Sequence, residues 1–210
     1  TIKLVSGLDQ IAEIGLYDES MYMRRGLEHA SGWPTAQEGV LYSAWYYLLS
    51  WISPDRFELY FLNQKLFTLL LPLMIFVSAR RFGAHRIAAF LGAFLYLISF
   101  GNAYVWPKVA HCACFLLLGS FAFFAGFEFK GRFLCAAILG TQLGSLARPE
   151  MAWSFFLSIS LAVVYAAVLM QKRHISNAKT YFISLSAVAI ICGAITLAMG
   201  SPGFGGRAWA

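Results

Sequence analysis

Residues 59–86 read LYFLNQKLFTLLLPLMIFVSARRFGAHR, an apolar run followed by a short basic linker. About 20 helical residues cross the hydrocarbon core of a bilayer, and the run 59–78 has that length. Lys65 lies near its start, where a long side chain can reach the interface. Pro72 lies in its middle, where a membrane helix tolerates proline as a kink. The stretch therefore predicts a transmembrane helix that ends at a basic linker.

Five further apolar runs approach bilayer length: 87–105, 109–127, 133–147, 152–170 and 180–199. Hydrophobic residues make up 60% of the chain and charged residues 12%, whereas a soluble domain carries about 25% charged residues. The chain therefore has too few charges to cover a water-facing surface. The predicted fold class is all-α, a polytopic transmembrane helix bundle with six spans over 59–199.

The linkers between these runs alternate in charge. Eight basic residues occur in three alternate linkers: 79–86, 128–132 and 171–179. Three occur in the opposite set: 106–108, 148–150 and the tail 200–210. The positive-inside rule places the first set in the cytoplasm, so the outer face holds the opposite set together with residues 1–58. Because the basic residues lie between apolar runs, we interpret them as topology signals and expect no nucleic-acid partner.

The outer segment 1–58 carries eight of the ten acidic residues and contains the stretch 40–52, VLYSAWYYLLSWI. This stretch is too short to span a bilayer, and its apolar residues recur at helical spacing. We expect a helix on the membrane surface, with four aromatic residues as interfacial rings: Tyr42, Tyr46, Tyr47 and Trp51. The alternative is a helix buried in a compact outer domain.

Two adjacent carboxylates, Asp18 and Glu19, lie near the start of this segment. A carboxylate just outside the membrane can act as a general base or as a ligand of a divalent metal. The structural alternative is that Asp18 caps a helix over 19–28, with Glu19 stabilised by the helix dipole. The pattern requires no cofactor, and a divalent metal on this pair is the one cofactor that it leaves open.

Charged side chains also lie at the predicted outer ends of the spans. Lys108 and His111 lie between the second and third runs, and Arg148 and Glu150 follow the fourth. Lysine and arginine both bind phosphate, arginine through a planar fork. The structural alternatives are a histidine on a helix surface and a local ion pair between Arg148 and Glu150. The alternation of linkers places all four residues on the same face as the acidic pair.

In this order, the residues resemble the GT-C superfamily of polytopic glycosyltransferases, which includes the protein O-mannosyltransferases and the aminoarabinose transferases of lipid A. The resemblance covers roughly residues 15–170 and rests on four ordered features: Asp18-Glu19-x-x-Tyr22, an aromatic surface helix from Gly39-Val40-Leu41-Tyr42, a span ending Ala79-Arg80-Arg81-Phe82-Gly83, and Arg148-Pro149-Glu150.

The resemblance implies an inverting transfer of a hexose or pentose from a polyprenyl-phosphate donor to an acceptor lipid, glycan or protein. The reaction is expected at the periplasmic or lumenal face of the membrane, most simply a bacterial inner membrane. Asp18 matches the family's catalytic carboxylate, and Glu19 would assist it or bind a metal. Arg148 and Lys108 are the candidates for the donor phosphate. Three residues are accessory candidates: Tyr22, His111 and Glu150.

The chain departs from the family at both ends. The family's first span precedes the acidic loop, whereas Thr1–Leu16 is too polar to span a bilayer. We therefore expect an N-terminal module fragment that lacks the first span and the C-terminal part. The alternative function is a polytopic transporter or flippase for a lipid-linked substrate. Transport favours charges at mid-bilayer depth and paired helix repeats. The sequence shows almost no charges at that depth and no visible repeat.

Overall fold

The computed structural model describes residues 17–27, 39–53, 55–99, 102, 108–128, 131–171 and 175–198. This part of the chain is all-helical, as the sequence predicts. Its α-helices are α1 (Tyr17–Leu27), α2 (Val40–Ser50), α3 (Arg56–Arg81), α4 (Arg86–Ile98), α5 (Val109–Phe124), α6 (Arg132–Ala147), α7 (Ala152–Gln171) and α8 (Ile175–Ala198). A short 3-10 helix, Pro149–Met151, precedes α7.

Capping residues set both ends of α3. The Asp55 side chain accepts two backbone N–H bonds of the first turn, at 2.8 and 3.0 Å. At the other end Gly83 adopts a left-handed conformation with φ 86°. Its N–H donates to the carbonyl of Arg80 at 3.1 Å, and the N–H of Ala84 donates to the carbonyl of Ala79 at 3.0 Å. This pair of bonds is a Schellman motif, so the glycine has a local structural role in ending the helix.

The second apolar run is helical over a shorter stretch than predicted, because α4 ends at Ile98 and not at residue 105. Ser99 is extended, with ψ 151°. Its hydroxyl donates to the carbonyl of Tyr96 at 2.7 Å and accepts the N–H of Asn102 at 3.2 Å. A serine that bonds to nearby backbone groups competes with helix continuation, which accounts for the early end.

Two helical segments of the described chain are long and apolar enough to cross a bilayer, by length and composition alone: Arg56–Arg81 and Pro149–Val168. Four other apolar segments are shorter: Arg86–Ile98, Val109–Phe124, Arg132–Ala147 and, within α8, the stretch Tyr181–Ala194. Six membrane crossings therefore stay a prediction from the sequence. The interfacial position of α2 and the outer tail 200–210 are likewise predictions, and the tail lies outside the described residues.

Described residues of two basic linkers lie at one end of the bundle. Phe82, which follows α3, stacks on Phe133 at the start of α6, with ring centroids 5.1 Å apart. Phe82 also packs against Phe121 near the end of α5, at 6.0 Å. The linker 79–86 therefore lies beside the end of α5 and the start of α6. We call this the basic end of the bundle.

A buried cluster at the opposite end brings five helices together. It joins α1, α2 and the first half of α3 to the start of α5 and the end of α6 through these residues: Tyr22, Met23, Tyr42, Tyr46, Leu49, Leu59, Tyr60, Phe67, Cys112, Ala113 and Ala147. A second cluster joins α5, α6, α7 and α8. The first cluster positions every candidate site residue described below.

Candidate functional site

The acidic pair lies inside α1, because the described helix begins at Tyr17. Asp18 is therefore in the first turn and not at the N-cap of a helix that begins at Glu19. Glu19 lies on the same helix face as Tyr22 and Met23, three and four residues later. That face packs into the core, and Glu19 is 1% exposed. The Asp18 side chain lies outside the described part of the structure.

One oxygen of the buried Glu19 carboxylate accepts hydrogen bonds from two other helices. The Tyr42 hydroxyl donates to Glu19 Oε1 at 2.5 Å, and the Tyr46 hydroxyl donates to the same atom. Asn63 of α3 donates from Nδ2 at 2.9 Å. The indole N–H of Trp45 donates to Asn63 Oδ1 at 2.8 Å, which orients the amide. Glu19 therefore ties α1 to both α2 and α3.

This arrangement corrects the prediction for two of the four aromatic residues of α2. Tyr42 and Tyr46 are fully buried, not interfacial, because a buried tyrosine hydroxyl needs a partner and Glu19 supplies it. Within α2 the exposed residue is Leu48, and Trp51 and Ile52 are exposed just after the helix ends. The buried side of α2 therefore fits the alternative of a helix packed in a compact outer segment.

Glycines allow the helices around Glu19 to approach closely. A Cβ placed at Gly26 of α1 would lie 2.7 Å from the carbonyl oxygen of Ser43 and 2.7 Å from Cβ of Tyr46. Gly39, which precedes α2, has φ 72°, and a Cβ there would overlap the Tyr22 ring. The two glycines therefore let the acidic helix pack directly against α2.

The second carboxylate oxygen has different surroundings. Glu19 Oε2 is buried and has no hydrogen-bond partner among the described residues. Lys108 nevertheless approaches the carboxylate with both its backbone N–H and its charge. The backbone N–H is near enough to lower the pKa of Glu19, although Oε2 accepts no hydrogen bond from the described residues by geometric criteria. Glu19 is thus anchored on one oxygen and weakly partnered on the other.

Burial decides the ionisation of this cluster. It raises the pKa of Glu19 above the ordinary 4.5, against the opposing effects of the tyrosine hydroxyls and then of Lys108. Burial is also the main cause that raises the pKa of Tyr42 and the pKa of Tyr46 well above 10.0, and the nearby carboxylate adds to both. Both hydroxyls therefore stay protonated and remain hydrogen-bond donors at neutral pH.

Lys108 is held in place beside this cluster. It is 1% exposed, and its Nζ donates to the carbonyl of Asn102 at 2.9 Å. His111 Nε2 lies 3.5 Å from the same ammonium. Asn102 is in turn anchored by its Nδ2, which donates to the carbonyl of Thr68 in α3 at 3.1 Å. The lysine predicted as a point charge for phosphate is thus a buried cation next to the acidic helix.

Arg148 lies at the adjoining end of α6. Its Nε makes an ion pair with Glu150 Oε2 at 3.2 Å, and the two side chains are 43% and 70% exposed. The structure therefore contains the local pair that the sequence left open. A Cβ placed at Gly144, one turn earlier, would lie 3.8 Å from the carbonyl oxygen of Ala113. The close approach puts the end of α6 against the first turns of α5, which carry His111.

The structure thus collects residues that are far apart in the sequence. Glu19 and Lys108 are in direct proximity, His111 contacts Lys108, and Tyr22 packs edge-on against Tyr42 with ring centroids 5.2 Å apart. Arg148 and Glu150 follow Ala147, which belongs to the same buried cluster as Tyr22. All the described candidates therefore surround one core at one end of the bundle.

Sequence reasoning missed four residues of this arrangement as site residues: Tyr42, Tyr46, Asn63 and Asn102. The sequence contained a signal for one of them: Asn63 and its neighbour Gln64 are two adjacent polar residues inside an apolar run. Polar residues within a predicted span are functional candidates by default. For the metal, the described residues contain no group of three or more His, Cys, Asp or Glu side chains arranged to hold an ion.

No protein-family model matches this chain, and no curated protein or solved structure matches it. The resemblance to the GT-C superfamily therefore rests on the ordered motifs of the sequence.

Proposed function

We propose that this chain is a module of a membrane glycosyltransferase that moves a sugar from a polyprenyl-phosphate donor to an acceptor on the periplasmic or lumenal face. One observation carries the assignment. The acidic helix α1 and the cations Lys108 and Arg148 converge on one buried cluster at the end of the bundle opposite the basic linkers. A carboxylate and cations on one face suit acid–base chemistry next to a phosphate leaving group.

The surface of the bundle supports a membrane location. Helices α7 and α8 expose large apolar side chains, among them Leu157, Val164 and Ile190, each at least 60% exposed. Monomeric soluble proteins rarely expose contiguous apolar faces of this kind, whereas lipid-facing helices require them. With the basic linkers in the cytoplasm, the acidic cluster takes the outer face.

In the proposed reaction, Asp18 accepts a proton from the acceptor hydroxyl or amine. The acceptor oxygen or nitrogen forms a bond to the anomeric carbon as the bond from that carbon to the phosphate oxygen breaks. Polyprenyl phosphate leaves with the bonding electron pair, and the configuration of the sugar inverts. Arg148, with its exposed side chain, is assigned to the donor phosphate, because its guanidinium matches phosphate geometry.

Glu19 and Lys108 take supporting parts in this proposal. Glu19 is a positioning residue, because its carboxylate is occupied by the two tyrosine hydroxyls and the Asn63 amide. These bonds set the rotation of α1, the helix that carries Asp18. Lys108, buried beside Glu19, holds positive charge next to this carboxylate and thereby favours its ionised form.

The decisive experiment is a transfer assay on the full-length protein in proteoliposomes, with polyprenyl-phosphate sugars as donors. We expect Asp18→Asn to lower transfer by about 100-fold or more, the usual contribution of a general base. Glu58→Gln is the matched control, since this exposed carboxylate lies in the first turn of α3. It should transfer at the wild-type rate.

Near-normal transfer by Asp18→Asn would overturn the role of Asp18. A wild-type protein that moves the lipid-linked donor across the bilayer without releasing polyprenyl phosphate would favour the transporter alternative. Glu19→Gln separates positioning from base catalysis. Its Oε1 can still accept the tyrosine bonds, so we expect it to keep most of the transfer activity and the pH profile of the wild type.

A further inference from the structure

The basic end of the bundle contains two arginines that converge on one turn. This turn, residues 125–128, connects α5 to α6. Arg132 Nη1 donates to the carbonyl of Ala125 at 3.4 Å and to the carbonyl of Phe127. Arg81 comes from the end of α3, and its Nη1 lies 3.6 Å from a Cβ placed at Gly126. Two guanidinium groups from different helices thus lie against the same few backbone atoms.

Neither guanidinium is neutralised within the described part of the chain. The described carboxylates make one ion pair with an arginine, and it is the pair of Arg148 with Glu150 at the other end of the bundle. Glu128 is exposed on the turn itself, and no ion pair joins it to Arg81 or Arg132 among the described contacts. Two guanidinium groups with no ion-pair partner among the described residues therefore lie at this turn.

Exposed aromatic rings adjoin these charges. Phe82, Phe127 and Phe133 are each more than 40% exposed. The Arg132 guanidinium lies 4.9 Å above the centroid of the Phe133 ring, which in turn stacks on Phe82. The patch is therefore a small basic surface bordered by apolar rings, and we call it the Arg81–Arg132 patch.

We propose that the Arg81–Arg132 patch binds the phosphodiester headgroup of an anionic phospholipid in the cytoplasmic leaflet. A guanidinium binds phosphate oxygens through two parallel N–H bonds, and the neighbouring phenylalanine rings offer an apolar surface to the first acyl methylenes. Basic pockets between helix ends on the cytoplasmic side are a recurrent form of lipid recognition. The assignment rests on the proposed membrane orientation and is independent of sugar transfer.

If these arginines act only as topology signals, a different experimental result is expected. The positive-inside rule depends on how many basic residues a linker carries and not on where their guanidinium groups lie. Arg81 and Arg86 are both exposed arginines of the same linker, but only Arg81 is placed on the 125–128 turn by its contacts. Removing either charge should weaken diffuse attraction equally, whereas removing Arg81 alone should destroy a local site.

The test is native mass spectrometry of the full-length protein in detergent, titrated separately with phosphatidylglycerol and phosphatidylcholine. We expect the wild type to take up one phosphatidylglycerol at about tenfold lower concentration than phosphatidylcholine, which corresponds to about 1.4 kcal/mol. Arg81→Gln should remove this preference, and Arg86→Gln should keep it. Arg81→Gln is preferred to a change at Arg132, whose bonds to the 125–128 turn also support the fold.

Three outcomes would overturn the proposal. Equal uptake of the two lipids by the wild type would show that the headgroup charge is not recognised. Equal losses in Arg81→Gln and Arg86→Gln would assign the preference to diffuse electrostatics. Displacement of phosphatidylglycerol by an equal concentration of inorganic phosphate would show a site for soluble anions. Because none of these measurements involves sugar transfer, their failure is distinguishable from failure of the proposed activity.

Discussion

The hydrogen bond from the Tyr42 hydroxyl to Glu19 provides a quantitative test of the buried cluster. Tyr42→Phe deletes the donor 2.5 Å from Glu19 Oε1 and leaves the ring packing in place. A hydrogen bond to an ionised group contributes about 1.5–3 kcal/mol to stability, and one between neutral groups about 1 kcal/mol. The cost of Tyr42→Phe should therefore depend on whether Glu19 is ionised.

The direction of the pH dependence follows from the raised pKa of Glu19. A carboxyl whose pKa is higher in the folded state binds its proton more tightly there, so its stabilising contribution is complete below the unfolded pKa, near 4.5. That contribution is lost as the pH rises through the folded pKa. The Tyr42 hydroxyl lowers the pKa of Glu19, so its removal raises the pKa further and deepens the loss at high pH.

The assay is thermal unfolding of the full-length protein in detergent, followed by the fluorescence of its tryptophans, which include Trp45 beside the cluster. We expect Tyr42→Phe to cost about 1 kcal/mol at a pH below 4.5, where Glu19 is protonated, and about 1.5–3 kcal/mol once the pH has risen through the raised pKa of Glu19. For a chain of this size, 1 kcal/mol is about 2–4 °C in Tm. The losses are therefore about 2–4 °C with Glu19 protonated and about 3–12 °C with Glu19 ionised.

Two controls isolate the carboxylate. Tyr47→Phe changes a tyrosine of the same helix whose ring packs on Trp51, at 5.6 Å, and its cost should not depend on pH in this way. In the Glu19→Gln background, Tyr42→Phe should cost about 1 kcal/mol at every pH, since the amide does not ionise. A cost for Tyr42→Phe that does not increase with pH anywhere in the range in which the wild-type protein stays folded would refute the reasoning.

The remaining predictions concern backbone geometry and the exposed arginine. Gly39→Ala should destabilise the protein by more than about 2 kcal/mol, because a Cβ there overlaps the Tyr22 ring at a positive φ. Gly83→Ala should cost only about 1 kcal/mol, because its positive φ is the only obstacle; equal losses of Tm would contradict this account. Arg148→Gln should raise the donor KM several-fold in the transfer assay and shift unfolding by less than about 1 kcal/mol, since its exposed pair with Glu150 contributes little; an unchanged KM would remove Arg148 from the donor site.

Local sequence predicted the helices well and their exact lengths less well. Apolar runs and helix-ending residues such as Gly83 act over a few residues, so they can be read along the chain. The overlong second span shows the limit of this reading. The apolar residues after Ile98 continued the hydropathy pattern, but the Ser99 hydroxyl bonds to backbone groups and the chain becomes extended there.

The candidate site was predicted in part. Its acidic pair and its cations were selected from the sequence, and the structure places Glu19, Lys108 and His111 together. The sequence did not reveal that Glu19 is buried. The tyrosines of α2 had the pattern of interfacial rings, and only their position against α1 shows that Tyr42 and Tyr46 are its hydrogen-bond donors.

The sequence by itself determined that this protein is a helical chain of apolar runs, with its basic residues concentrated in alternate linkers and most of its acidic residues in the first 58 positions. Those properties follow from composition and from periodicities of a few residues. Only the tertiary structure showed that the Glu19 carboxylate is held in the core. Its burial depends on the meeting of Glu19, Asn63 and Lys108, which are separated by 44 and 45 residues along the chain. Contacts over such distances are set by how the helices pack, because local hydropathy carries no information about which buried polar groups will face each other.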